Sequence, residues 1–164
     1  MTLRTATLAD AVIIHDLAHR IWPHTFKGIL SEQQLAYMLE RMYSVPVLEQ
    51  QLCEGIEFLI PYHTNEPVGY LGYEVPYEGK ALLKIHKIYL LPQMQGSGYG
   101  RQLMQAAERV ARERGVERLT LNVNRYNQAL GFYKKMGYRT VCEEDIDIGQ
   151  GYLMEDFRME KILA

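Results

Sequence analysis

The sequence predicts a single domain of mixed α/β class, an α+β sheet of about seven strands flanked by helices. Three observations lead there. Seven short runs have strand length and are rich in β-branched, aromatic or leucine residues. Five other segments repeat apolar residues at helical spacing. After Leu90 the two kinds alternate, as crossover helices between strands would.

The elements follow in order. "TLRTA" around Leu3 alternates and reads as a first strand. Thr7 and Asp10 form a helix-start box, and Ile13, Ile14, Leu17, Ala18 and Ile21 keep helical spacing to Trp22, where Pro23 is expected to end the run. Ser31 and Gln34 open a second helix with Leu35, Met38, Leu39 and Met42 on one face. A short third helix from about Pro46 to Glu54 has Ser44 or Val45 near its cap and is closed by Gly55. "IEFLIPY", "VGYLGYEVPY" and "ALLKIHKIYLL" are separated by turns short enough for antiparallel pairing, which predicts a three-stranded meander. A long helix from about Gly98 to Arg114 turns Leu103, Met104, Ala107, Val110 and Ala111 inward and is capped by Gly115. "VERLTLNV" is the fifth strand, "NQALGFYKKMGY" a helix stopped by Gly137, and "RTVCEED" and "YLMEDFRMEKI" the last two strands.

Composition narrows the function classes. With 164 residues there is room for one real core and little for a second domain. The 48% hydrophobic and 23% charged shares are those of an ordinary globular protein. A net charge of −2 argues against a nucleic-acid partner, which calls for a basic stripe. No signal-peptide pattern opens the chain, and no apolar run approaches the ~18 residues a membrane span needs. Cys53 and Cys142 match no metal spacing and read as reduced thiols, so a cytoplasmic protein is expected.

The most informative stretch is "YLLPQMQGSGYGRQLM", with glycine at 96, 98 and 100 between a strand and a helix. Such a junction leaves unpaired N–H groups at the positive end of a helix dipole, where a phosphate binds. It is not a P-loop, because Arg101-Gln102-Leu103 stands where Gly-Lys-Ser/Thr is required. Nor is it a dinucleotide fingerprint, which needs glycine at 101.

Gln95-Gly96-Ser97-Gly98-Tyr99-Gly100 fits the Q/R-x-x-G-x-G/A pattern, and "NQALGFYKKMGY" follows some thirty residues on. With these two motifs the chain resembles the GNAT superfamily of N-acetyltransferases along its whole length. It is also similar, less specifically, to the bacterial polyamine acetyltransferase branch. The resemblance implies a mostly antiparallel sheet splayed between the fourth and fifth strands, with acetyl-CoA as co-substrate in the splay and no metal. It implies that backbone groups of Ile88, Tyr89 and Leu90 pair with the pantetheine arm. Gln95 belongs to the loop motif, and N–H groups of Gly96, Ser97, Gly98, Tyr99, Gly100 and Arg101 would hold the pyrophosphate. Tyr133 corresponds to the tyrosine beside the thioester sulfur, whose phenol can protonate the departing thiolate.

Two positions depart from the family pattern. Tyr126 stands where an asparagine is usual; Asn127, or else Asn124, would contact the cofactor, and plain helix capping serves either equally well. No glutamate marks the general base, so His86 is the candidate among Lys84, His86 and Asn122, being the one that titrates near neutrality. The alternation of the fourth strand places Lys84, His86, Ile88 and Leu90 on one face. Lys135 is a candidate for a CoA phosphate. Trp22, His24 and Phe26 lie where the family's first helices overhang the acceptor, and could instead form a hydrophobic helix junction. The acids around the last hairpin read as solvated turns or as a rim attracting a cationic amine. The implied reaction is direct acetyl transfer to a primary amine, on a small molecule, a polyamine or a protein. A non-catalytic acyl-CoA sensor on the same fold is the alternative, and homodimers are common among such proteins.

Overall fold

The computed structural model describes residues 1–163. The strands are β1 (Thr2–Thr5), β2 (Glu57–His63), β3 (Glu66–Pro67), β4 (Gly69–Glu74), β5 (Leu83–Leu90), β6 (Arg118–Asn124), β7 (Arg139–Gly149) and β8 (Tyr152–Ile162). They form one sheet in the order β1-β2-β4-β5-β6-β8-β7, with β3 an added two-residue pairing on β2. The expected meander is therefore β2, β4 and β5, and the expected fourth and fifth strands are β5 and β6. Every pairing is antiparallel except β5 with β6.

Helices α1 (Ala11–Thr25), α2 (Glu32–Tyr43) and α3 (Val45–Cys53) cover one face, and α4 (Tyr99–Glu113) and α5 (Leu130–Lys135) the other. The start signals act as expected. The Asp10 carboxylate accepts the Thr7 N–H at 2.7 Å, and Ser31 Oγ accepts the Gln34 N–H at 3.1 Å. Pro23 does not stop α1, which continues to Thr25. Pro23 is on the exposed side, where water can replace the hydrogen bond that proline cannot make. β7 also outruns its expected end by four residues to Gly149, because Ile146, Asp147 and Gly149 find partners on β8, with Ile148 at a register shift.

One core cluster packs α1–α3 against the sheet around Ile14, Leu17, Phe58, Ile60 and Tyr70. The other packs α4 and α5 around Leu71, Leu83, Leu103, Leu119 and Met159. Lys161 of β8 donates to Glu108 of α4 at 2.6 Å, tying that helix to the C-terminal half of the sheet.

Candidate active site

The site begins where β5 and β6 part. They pair over three rungs, Leu83 with Leu119 to Ile85 with Leu121, and then separate. Beyond that point β5 stays on β4 as far as Leu90, and β6 stays on β8 as far as Asn124. The Leu91 N–H donates to Val68 C=O at 2.9 Å, toward the β4 side. By alternation the backbone groups of Ile88 and Leu90 face the gap, free to take up an added strand-like partner. Those of Tyr89 are turned toward β4, so of the three expected pantetheine contacts two present their amides to the gap.

A register shift on β5 corrects the one-face expectation. Gly72 opposes Lys87 and Tyr73 opposes Ile85, which leaves His86 as the extra residue of a bulge. Lys84, His86, Lys87 and Tyr89 all turn toward the α1–α3 side. Lys87 Nζ reaches Met42 C=O at 3.1 Å and Gln51 Oε1 at 2.8 Å. Tyr89 packs 5.6 Å from the Trp22 ring centroid. Ile88 packs against the α4–α5 cluster instead, opposite His86, and Leu90 at the end of the strand touches both clusters.

The glycine turn lies at the open end of the gap. Gly96 and Gly98 have φ of +78° and +88°, a region L side chains avoid. A Cβ on either would meet nothing within 4 Å, so conformation and not crowding selects glycine there. Ser97 Oγ donates to Met94 C=O at 2.5 Å and bends the loop back on itself. Among the described residues the N–H groups of Gly96, Gly98, Gly100 and Arg101 have no acceptor, whereas that of Ser97 goes to Met94 C=O at 3.3 Å. The Tyr99 N–H has a long contact to Ser97 Oγ at 3.4 Å, and its side chain is buried with the hydroxyl 2.6 Å from His63 Nδ1. These free amides at the head of α4 suit a diphosphate. Gln95, Arg101 and Lys135 are exposed around this end.

Tyr133 enters from α5 and is 7% exposed. Its hydroxyl makes no hydrogen bond among the described residues, yet it is not among the fully enclosed polar atoms, so it keeps an opening. Burial alone raises its phenol well above the ordinary value, which keeps it protonated and able to donate. The Tyr89 phenol, raised first by burial, also feels Tyr43, Tyr133 and Asp156. Asn127 Oδ1 accepts the Ala129 N–H at 2.8 Å and Asn124 Oδ1 the Tyr126 N–H at 2.9 Å, both capping the turn before α5.

On the α1–α3 face, beside the gap, lies a cavity of about 480 Å³ lined by Tyr77, Lys84, His86, Asn122, Glu144 and Arg158 among others. A smaller hollow of about 180 Å³ lies past the end of α4, away from the gap. His86 Nε2 is 3.0 Å from Glu74 Oε1; a carboxylate only accepts, so Nε2 carries the proton and Nδ1 keeps its lone pair. Burial lowers the His86 pKa against the opposing pull of Glu74, which leaves a neutral imidazole at pH 7. Trp22 and Phe26 are enclosed in the core at 4% and 5% exposure, and His24 is exposed on α1; none of the three lines the cavity.

The acids of the last hairpin are mostly engaged. Arg125 pairs with Glu143 and Asp145, and Glu144 accepts from Asn122 at 2.9 Å and from Arg158 at 3.3 Å. In the sequence Asp156 is one of the acids around the last hairpin, with Glu143, Glu144, Asp145, Asp147 and Glu155, and nothing there sets it apart. It alternates with exposed residues on β8, and only the packing of β6, β7 and β8 encloses it.

Comparison with known proteins follows the same lines. An acetyltransferase (GNAT) family model matches residues 15–138. A Bacillus subtilis protein bearing an acetyltransferase name is 34% identical over 131 residues, which is 72% of this chain and 85% of that protein. The spermidine N(1)-acetyltransferase of Thermoplasma acidophilum is 25% identical over 159 residues, covering 93% and 94% of the two chains. The PaiA N-acetyltransferase from Thermoplasma acidophilum, crystallised with coenzyme A, superposes with a TM-score of 0.82 at 24% identity over 99% of each chain. On the matched family model and the splayed sheet together, this chain belongs to the GNAT family of acetyl-CoA-dependent N-acetyltransferases.

Proposed function

We propose that this chain moves the acetyl group of acetyl-CoA directly to a primary amine that approaches through the cavity beside His86. The observation that carries the reading is the parting of β5 from β6 after three rungs. In this reading the free amides of Gly96, Gly98, Gly100 and Arg101 hold the diphosphate, and Ile88 and Leu90 pair with the pantetheine amides. Tyr133 protonates the leaving thiolate. His86, neutral with Nδ1 free, is one group on the acceptor face able to take a proton. Cys53 is on α3 and Cys142 on β7, neither on the strands that border the gap, and no acyl-enzyme through a thiol is invoked.

The acceptor is a primary amine, and the Thermoplasma relative puts spermidine on the panel to be tried. The test is calorimetry with acetyl-CoA followed by thiol release over a panel of polyamines, amino acids and lysine peptides. Saturable release with at least one amine is expected. Binding of acetyl-CoA with no release across the panel would overturn transfer in favour of an acyl-CoA sensor.

A further inference from the structure

Three carboxylates are buried among the described residues, and two have cationic partners. Asp10 binds Arg4 at 2.9 Å, and Glu108 binds Lys161 at 2.6 Å. Asp156, at 3% exposure the most enclosed of the three, makes no ion pair among the described residues. Among the described residues its single side-chain hydrogen bond is a long one, accepted by Oδ2 from Asn122 Nδ2 at 3.4 Å, and no donor reaches Oδ1. A buried carboxylate left this bare costs folding free energy, and such a group calls for a reason in function.

Its position supplies the reason. Asp156 is on β8 opposite Asn124, three rungs past the last β5–β6 pair and one strand behind the β6 edge of the gap, and it touches the cavity-lining Asn122. It faces the α1–α3 side with Asn122 and Glu144, the side of the cavity. The groups around it are Lys84 and Tyr89 from β5, Asn122 from β6, Arg125 from the following turn and Glu144 from β7. Glu144 is occupied by Asn122 and Arg158, and Lys84 donates to Asn122 Oδ1, so neither neutralises Asp156 by contact. Independently, Tyr133 of α5, packed on the opposite face of the sheet, keeps an unpartnered hydroxyl that is not fully enclosed.

We infer that Asp156 is the catalytic residue that receives the proton of the acceptor amine, with His86 lining the approach and held aside by Glu74. This rests on the transfer reading above. The amine nitrogen forms a bond to the thioester carbonyl carbon, its N–H proton passes to Asp156 Oδ1, and the C–S bond breaks. The departing sulfur takes the Tyr133 proton. The products are an amide and a free thiol, and solvent returns Asp156 and Tyr133 to their starting states.

The test compares Asp156→Asn and His86→Gln in the full chain, using an amine the wild type acetylates and following kcat and kcat/KM from pH 5 to 9. Acetyl-CoA calorimetry confirms that each variant is folded and binds. Asp156→Asn is expected to lower kcat by about 100-fold or more while leaving acetyl-CoA affinity within about threefold. The wild-type log(kcat/KM) should rise with pH at a slope of about two below pH about 6 and about one above it, because Asp156 and the amine must both be deprotonated. His86→Gln should keep that break near pH 6 whatever its rate, whereas Asp156→Asn should lose it. Retention of kcat in Asp156→Asn, or loss of the break in His86→Gln instead, overturns the assignment. A wild type that binds acetyl-CoA and acetylates nothing overturns the transfer reading and this inference together, which separates it from a failure confined to one variant.

Discussion

Replacing Asp156 with asparagine should make the protein more stable. Burial, ahead of every other influence, lifts the Asp156 carboxyl from 3.8 to about 6. The folded state therefore holds the proton more tightly than the unfolded chain does. The stabilisation from that proton is complete below pH 3.8 and is lost as pH rises through about 6. At pH 7 the ionised group costs about 3 kcal/mol, and at pH 4.5 about 1 kcal/mol. Asn is nearly isosteric, and its amide oxygen still accepts from Asn122. Urea unfolding of both proteins at pH 7 and pH 4.5 reads the difference directly. The variant should gain about 2–3 kcal/mol at pH 7 and about 1 kcal/mol or less at pH 4.5. In a chain of this size that corresponds to about 5–10 °C in Tm at pH 7. A variant less stable than wild type at pH 7, or one stabilised equally at both pH values, would refute the claim that an unpaired buried charge sits there.

Three further outcomes follow from the geometry. Tyr133→Phe should lower kcat by about 10- to 100-fold with little change in KM for acetyl-CoA, measured by thiol release; unchanged turnover would remove Tyr133 from the reaction. Gly98→Ala forces an L side chain to φ +88° at an uncrowded position, so strain alone should cost about 1–2 kcal/mol and raise KM for acetyl-CoA, and an unshifted urea midpoint would count against it. Lys87, lowered by burial from 10.5 to about 7, is bound neutral by the fold, so its stabilisation is complete above pH 10.5 and is lost as pH falls through about 7. Stability should climb by about 1.4 kcal/mol per pH unit between pH 7 and 9.5, and Lys87→Met should flatten that climb in urea titrations.

Much of this architecture could be read from residue order. The meander, the glycine-capped α4 and the alternation of helix and strand after Leu90 rest on local turn chemistry and periodicity, which a linear chain displays. What depended on packing could not be read. The bulge at His86 is set by the register of β4 against β5, and it divides Lys84 and His86 from Ile88 and Leu90, which strict alternation had grouped. Trp22 and Phe26 sit in a helix-junction segment whose exposure is decided by Tyr43 and Tyr89 closing around them. Asp156 looks like any hairpin acid in sequence, because nothing in "YLMEDFRMEKI" tells which of its charges will be covered. The three glycines of the turn also divide by cause. Gly96 and Gly98 answer to conformation, and Gly100 to the Phe132 ring, which a Cβ would meet at 3.3 Å.

The brevity of the β5–β6 seam has a mechanical side. The sheet is two panels, β1 to β5 and β6 to β7, joined edge to edge by a short hinge with α4 as the strap across it. A molecule that completes the free edge of β5 while gripping the head of α4 works as a brace between the panels. Melting behaviour should then report occupancy: at ~100 times its dissociation constant such a brace adds about 2.7 kcal/mol, whether or not an amine is present to be acetylated.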